Sequence, residues 1–455
     1  MIVHLIFMLI LALITFKSTP GTSILLTFRQ GGDAASPELA TFSIEPVDWK
    51  PAEEDLTTWP SPAEQTLEFA IPLELPQMER LENRSPLAGL DALNVPLAAA
   101  GSPPLSSMFA GRSGPLKKSL LKSGGGTAET EDAVALGLVW LKRQQLKDGA
   151  WSMRGPFSHG GGAENQTAAT AMAMLAFMGA GNTHKSGEYK AEVYRAVKWL
   201  VAQQDRQGFM AAAARDNEKM YAQAQATIAL CELYGMTRDY WLKPYAQKAC
   251  DFACDSQSSM GGWRYRPKFD SDTSVTGWFV MGLKSGQAAG LSIRSHVFPK
   301  VEQYLDSVSG GYDSGYAYQV GRRPSPSMTA EGILCRQYLG WHRNMPGMAQ
   351  GLGALVANHA LDRNQQDVYY WYYATQALHH YGGPLWEEWN DILRVTLPET
   401  QDKQGRESGS WSPQRDAWGR HAGRLYTTCL SLYCLEVYYR HLPLYSSESA
   451  GVAAK

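Results

Sequence analysis

From residue 130 onward, two kinds of helical pattern alternate, separated by glycine-rich turns. In the first kind, Val134, Leu136, Val139, Trp140 and Leu141, or Val193, Val197, Trp199 and Leu200, recur at helical spacing with charges on the opposite side. One stripe of such a helix meets a core and the other meets water. In the second kind, residues 167–178, 221–233, 273–283, 329–339, 371–380 and 425–439 are apolar or aromatic nearly all round. A helix apolar on every side has to be covered on every side. The first kind is therefore expected outside. The second is expected inside, as a ring that lines a cavity or packs a core.

A marker recurs in the turns. Gln145-x-x-x-Gly149-x-Trp151 returns as Gln257-x-x-x-Gly261-x-Trp263. Gln204-x-x-x-Gly208-x-Met210 keeps two elements, Asp306-x-x-x-Gly310-x-Tyr312 keeps the glycine and an aromatic, and Gln404 to Trp411 fits with one inserted residue. The markers end at 151, 210, 263, 312 and 411, and the segment 366–371 fills the one gap of double length. Each unit spans about 50 residues, enough for two helices, and a repeat of that period builds stacked or ring-closed units. The expected fold is all-α, an (α/α)6 toroid of six helical hairpins over residues 130–446. Chemically, a glutamine amide can bond the free N–H groups of a helix start with its flat face on the indole, and glycine allows the tight turn between them.

The front of the chain differs. Residues 1–16 are apolar but for His4 and Thr15, and Lys17 follows. The run is short against the roughly 20 residues of a spanning helix, and no basic stretch precedes it. Residues 1–22 are expected to be an uncleaved single-pass anchor that puts the protein at a membrane, the alternative being a cleaved signal and export. Residues 23–129 are acidic and rich in Pro and Ser. They read as a mostly disordered linker, with a strand candidate at 24–28, because such composition buries too little apolar surface to offset its ordering entropy. Residues 447–455 read as a disordered tail.

Hydrophobic residues at 44% and charged ones at 19% exclude disorder throughout. A formal net charge of -2 provides no field that would draw the chain to nucleic acid. The six cysteines, Cys231, Cys250, Cys254, Cys335, Cys429 and Cys434, lie in apolar helical patterns and form no C-x-x-C pair. They read as small buried hydrophobes. No phosphate loop or nucleophile elbow is present, and no cofactor is expected.

The repeats resemble the QW motifs of the squalene and oxidosqualene cyclase superfamily, and the single-toroid length resembles the β subunit of protein prenyltransferases. The resemblance sharpens at Gly261-Gly262-Trp263-Arg264-Tyr265, followed by Phe269-Asp270-Ser271-Asp272-Thr273-Ser274. In class II cyclases a similar turn leads into an Asp-x-Asp-Asp-Thr-Ala motif whose middle aspartate protonates the polyene. The resemblance implies Asp272 as proton donor and Asp270 as its electrostatic partner. It also implies Trp278, Phe279, Trp371, Tyr372, Tyr373, Tyr426 and Tyr433 as cavity faces that shield cations. Such chemistry needs an acid held neutral beside a carboxylate in a dry aromatic cavity. Here the motif reads Asp-x-Asp-Thr, and alignment on the threonine puts Ser271 at the donor position. The aspartates read equally as helix caps and the aromatics as plain core. Known cyclases of this type have two toroids, so a complete squalene cyclase is not expected.

The zinc site of the prenyltransferases is not expected either. Asp367-Val368-Tyr369 has Tyr where a cysteine ligand belongs, and Leu425-Tyr426-Thr427-Thr428-Cys429 has Thr427 in place of the histidine. His379 and His380 are adjacent and point apart on a helix. Thioester domains share the toroid, but Gly161-Gly162-Ala163-Glu164-Asn165-Gln166 has no cysteine. Asn165, Gln166 and Thr167 read as a cap there. Two functions remain: a membrane-tethered enzyme that cyclises an isoprenoid by acid initiation, or a non-catalytic toroid that binds a peptide, glycan or lipid.

Overall fold

The computed structural model describes residues 107–310 and 314–445. After a 3-10 turn, Ala110–Arg112, come α1 (Gly114–Gly124), α2 (Ala128–Gln144), α3 (Gln166–Gly179), α4 (Lys190–Ala202), α5 (Lys219–Thr237), α6 (Lys243–Ser256), α7 (Thr273–Ala288) and α8 (Val297–Val308). The strands β1 (Ser309–Gly310) and β2 (Gly315–Tyr316) pair antiparallel. Then follow α9 (Pro326–Leu339), α10 (Pro346–Asn358), α11 (Val368–Tyr381), α12 (Pro384–Thr400), α13 (Gly419–Leu435) and α14 (Val437–Arg440).

The helices form two concentric rings. Each of α3, α5, α7, α9, α11 and α13 packs on the next, and α13 packs back on α3, which closes the inner ring. Outside, α2, α4, α6, α8, α10 and α12 each pack on the inner helix that precedes them around the ring. This is the all-α toroid of six helical hairpins that the pattern predicts. Residues 167–179 of α3 are all buried, whereas α4 buries one stripe, Val193, Ala196, Val197, Leu200 and Val201. Each large apolar side chain so covered contributes roughly 1.5–3 kcal/mol.

The turns tie neighbouring outer helices together. Gln257 Nε2 donates to Gly261 O (2.7 Å) in its own turn and to Val297 O (3.0 Å) at the start of α8. Gln145 Nε2 likewise bonds Gly149 O (2.9 Å) and Glu192 O (3.0 Å), and Gln204 Nε2 bonds Tyr245 O (3.0 Å). Gln401 Nε2 bonds Gly409 O (3.0 Å) and Ala133 O (2.8 Å), which joins the last hairpin to the first. The glycines complete the joint. Gly261 has φ +97 and a Cβ there would lie 2.1 Å from Lys300 O; Gly409 has φ +102 and would meet Leu136 O at 2.2 Å. Gly149 and Gly208 sit in the same way against Arg195 O and Lys248 O. In every joint the glutamine takes one carbonyl of the next outer helix and the glycine lies against the carbonyl three residues on. Only a residue without a Cβ fits there.

These joints differ from the expected amide-on-indole arrangement. The glutamine donates to helix carbonyls, whose second lone pair is left over after helix bonding, instead of accepting from free N–H groups. The indoles bond back to their own hairpins: Trp151 Nε1 to Leu141 O (2.8 Å), Trp263 Nε1 to Ala253 O (2.8 Å) and Trp411 Nε1 to Leu397 O (2.9 Å). In the last unit Gln401, not Gln404, makes the joint, because eight residues rather than four separate the glutamine from its glycine. Tyr312 lies outside the described residues. In that unit Tyr316 N donates to Thr329 Oγ1 (3.0 Å), as Trp151 N does to Thr170 Oγ1 (3.1 Å) and Trp263 N to Thr276 Oγ1 (3.0 Å). In the fifth unit Gln366 Nε2 bonds Arg363 O (3.3 Å) within its own turn and Trp371 lies inside α11, so neither makes a joint.

Of the linker expected over residues 23–129, residues 23–106 lie outside the described residues and residues 107–129 are folded chain. The helix α1 starts on a proline, ends on a left-handed Gly125 and lays Leu120 and Leu121 on the core, while Lys117 sits over the Tyr439 ring at 4.0 Å. Arg112, just before α1, is buried at the end of the ring where the inner helices finish. It bonds Glu232 Oε2 (2.7 Å) and, through Nε, Arg440 O (3.1 Å). Arg440 in turn reaches Glu436 Oε2 (3.1 Å), Glu232 Oε2 (3.4 Å) and Leu175 O (2.6 Å). This buried ion cluster closes one end of the toroid. The apolar run 1–16, the strand candidate 24–28 and the tail 447–455 lie outside the described residues. Among the described residues, no helix is long and apolar enough to cross a membrane.

Candidate functional site

The opposite end of the ring is open. The first turns of all six inner helices surround a cavity of about 580 Å³, with Ala168, Tyr221, Ser274, Met328, Tyr369 and Tyr426 each contributed by a different helix. Local sequence sets these starts. Asn165 Oδ1 accepts from Ala168 N (3.1 Å), Asp272 Oδ1 from Val275 N (2.7 Å), Ser325 Oγ from Met328 N (3.4 Å) and Asp367 Oδ1 from Tyr370 N (3.0 Å). Each cap satisfies an N–H that the helix leaves free.

The walls combine flat apolar faces with neutral polar groups. Trp278 and Tyr426 give ring faces, and Trp418, 55% exposed, stands on the rim. Asn165, Asn217, Ser325, Ser327 and Gln225 supply amides and hydroxyls. Gln225 is 5% exposed, and its buried Oε1 has no hydrogen-bond partner among the described residues. Glu218 brings a carboxylate, with Asn165 Nδ2 at 3.4 Å and His421 Nε2 at 3.4 Å across the mouth.

Beneath the cavity runs a chain of hydroxyls. Tyr221 OH donates to Ser274 Oγ (2.9 Å), Ser274 Oγ and Tyr369 OH share a bond of 2.5 Å, and Tyr369 OH donates to Glu331 Oε2 (3.0 Å). Glu331 is fully buried against Gly277, where a Cβ would meet its Oε1. Burial drives its carboxyl well above the usual carboxylate range, and the bond from Tyr369 offsets this only in part. Through Tyr369, Glu331 anchors the floor of the cavity.

Asp272 and Asp270 lie beside this cavity and not in its wall. Asp272 is fully buried, caps α7 through Oδ1 and holds Tyr318 OH (2.9 Å) and Arg264 Nε (3.4 Å) on Oδ2. Burial pushes it up to about 6, although the Val275 amide, Tyr318 and Arg264 all pull the other way. Asp270 is pushed up by burial but ends below its ordinary value, held there by Arg264 Nη1 (2.6 Å), the Ser271 amide (2.7 Å) and Gln319 (3.1 Å). The two aspartates thus share one arginine. Asp272 bonds the wall residue Tyr318, whose hydroxyl also meets that of wall residue Tyr265 at 2.8 Å.

Of the seven aromatic candidates, Trp278 and Tyr426 line the cavity. Tyr372 stacks behind Trp278 at 5.6 Å and Tyr373 meets it edge-on at 5.8 Å. Tyr433, 5.4 Å from Tyr372, donates to Met172 O (2.6 Å). Trp371 is core, and Phe279 turns away to stack on Trp263 at 5.0 Å. Sequence reasoning passed over Tyr221, Gln225, Ser274, Tyr369 and Glu331. A signal was available, because each carries a polar group in the first half of a mostly apolar inner helix.

No protein-family model matches the sequence, and no curated protein does. Solved structures that align with it include an inactive variant of the α-1,6-mannanase GH76A of Salegentibacter sp. HEL1_6, at 12% identity and a TM-score of 0.49, covering 69% of this chain and 99% of that one. A variant of the type II terpene cyclase MstE from Scytonema is 10% identical with a TM-score of 0.48, covering 69% and 98%. A glycoside hydrolase family 76 mannosidase from Bacteroides thetaiotaomicron is 10% identical with a TM-score of 0.47, covering 69% and 98%. The fold of this chain is established by its own closed ring of helices.

Proposed function

We propose that the toroid binds a neutral, polyhydroxylated ligand, a glycan, in the open mouth of the ring. The observation that carries this reading is the mixed wall itself, in which Asn165, Asn217, Gln225, Ser325 and Ser327 stand around the ring faces of Trp278 and Tyr426. A hydrocarbon ligand would displace water from these amides and hydroxyls without replacing its hydrogen bonds, at a cost of about 1–3 kcal/mol for each group left unpaired. A sugar offers hydroxyls to these groups while its apolar face rests on Trp278 or Tyr426, the usual division of labour in a pocket of apolar walls with a few converging polar groups.

The test is calorimetric titration of the full chain with gluco- and manno-oligosaccharides in α and β linkage, and with a geranylgeranyl alcohol in detergent as the hydrocarbon arm. The best sugar should bind the wild type, and Gln225→Ala should lose about 5- to 150-fold in affinity, the equivalent of one unpaired buried group. Binding of the hydrocarbon alone would overturn the reading.

The second reading, acid-initiated cyclisation of an isoprenoid, draws support from Trp278 and Tyr426 in the wall and from Asp272 at about 6. Against it stand the two hydrogen bonds on the Asp272 carboxylate, from Val275 N and Tyr318 OH, its ion pair with Arg264 and its absence from the cavity wall. A cyclic product made by wild type and lost in Asp272→Asn would favour it. We also propose that residues 1–22 hold the toroid at a membrane. Partition of full-length protein into the membrane fraction, and its release on removing those residues, tests that.

A further inference from the structure

We propose, resting on the glycan reading above, that the ligand is a linear polysaccharide chain: one part sits in the mouth and the chain continues into a second hollow that shares a wall with it. That hollow, of about 370 Å³, lies between the turn before α5, the side of α6 and the turn that carries Tyr265. Tyr265 lines both cavities, so the two hollows adjoin at its side chain. The aromatic faces also continue across the boundary. Tyr221 and Tyr265 lie 6.4 Å apart on the mouth side, and Phe209 stacks on Phe252 at 5.1 Å in the second hollow, both rings partly exposed. The lip is polar, with Asp205, Gln207, Asp216 and Arg266.

This pattern of flat rings in series under a polar lip suits a chain of pyranose units, each with one apolar face and a hydroxyl edge. A compact ligand fills the mouth, whose 580 Å³ is already within the volume of a complete small-molecule site, and leaves the Phe209–Phe252 platform in water.

The experiment titrates the full chain with one oligosaccharide series, of the linkage that binds best, from one to six sugar units. Affinity should rise about tenfold or more between the shortest binder and the hexamer. Phe209→Ala should flatten that rise while the shortest binder keeps its wild-type affinity, since loss of a stacked face is worth about 0.5–1.5 kcal/mol. The exposed Arg266→Ser, which does not touch the core, gives a second reading of the same rise if Phe209→Ala fails to fold. Affinity independent of length, with short sugars still binding, overturns the second hollow and leaves the mouth reading intact. No binding at any length overturns both.

Discussion

The joints between hairpins make a graded prediction. Gln257→Ala removes two buried bonds, to Gly261 O at 2.7 Å and Val297 O at 3.0 Å. Its own Oε1 has no partner, so nothing is lost there. Each bond contributes about 0.5–1.5 kcal/mol net, and a buried carbonyl stripped of its donor adds to that, which gives about 2–4 kcal/mol in all. Gln401→Ala breaks two buried bonds at the ring closure and should cost a similar amount. Gln204→Ala breaks one half-buried bond, to Tyr245 O at 3.0 Å, and should cost about 1 kcal/mol. The assay is equilibrium urea unfolding of the full chain, with stability read from the midpoint at unchanged slope. If Gln204→Ala cost as much as Gln257→Ala, or if Gln257→Ala and Gln401→Ala both cost under about 0.5 kcal/mol, the joints would not be what fastens the ring.

Other outcomes follow from the same packing. Arg112→Met leaves Glu232 buried with only Arg440 at 3.4 Å and should cost about 3 kcal/mol by urea midpoint, against little change if the cluster were idle. Gly409→Ala puts a Cβ 2.2 Å from Leu136 O at φ +102, and should lower stability by at least about 2 kcal/mol by the same assay, whereas Gly405→Ala, with open space around it, should cost less. His379 is held down to about 4 by burial, against about 6.5 unfolded. The unfolded chain therefore takes up the proton first, so this contribution is present above pH 6.5 and is lost as pH falls from about 6.5 to 4, by roughly 3 kcal/mol. The stability gap between wild type and His379→Asn should narrow over that window, and a constant gap would contradict the burial.

The ring was legible because burial leaves a periodic trace: residues 167–179 are apolar on every side and every one is buried. The helix α1 was not, since eleven residues with three lysines and two serines resemble linker, and what holds them is tertiary: Lys117 on Tyr439 and Glu131, Leu120 and Leu121 on the core, and a bond from Trp386 to Gly124 O. The shift from Gln404 to Gln401 escaped notice because a longer turn preserves the joint while it destroys the spacing. Asp272 carries the harder lesson. An aspartate before an apolar helix is written identically whether it caps the helix or donates a proton, and the cap on Val275, the bond from Tyr318 and the ion pair with Arg264 become visible only in three dimensions. Glu331 was visible as a lone acid in an apolar helix, but its link to Tyr369 and Ser274 joins three different inner helices, which no local pattern encodes.

The site itself is tested most directly by hydrogen–deuterium exchange of the full chain with and without the oligosaccharide that binds best. Protection should appear in the first turns of the inner helices, around residues 166–172, 219–225, 273–278 and 368–372, with none around the Arg112–Glu232–Arg440 cluster at the closed end. Protection confined to the outer helices or the closed end, or no change anywhere, would contradict a glycan seated in the mouth of the ring.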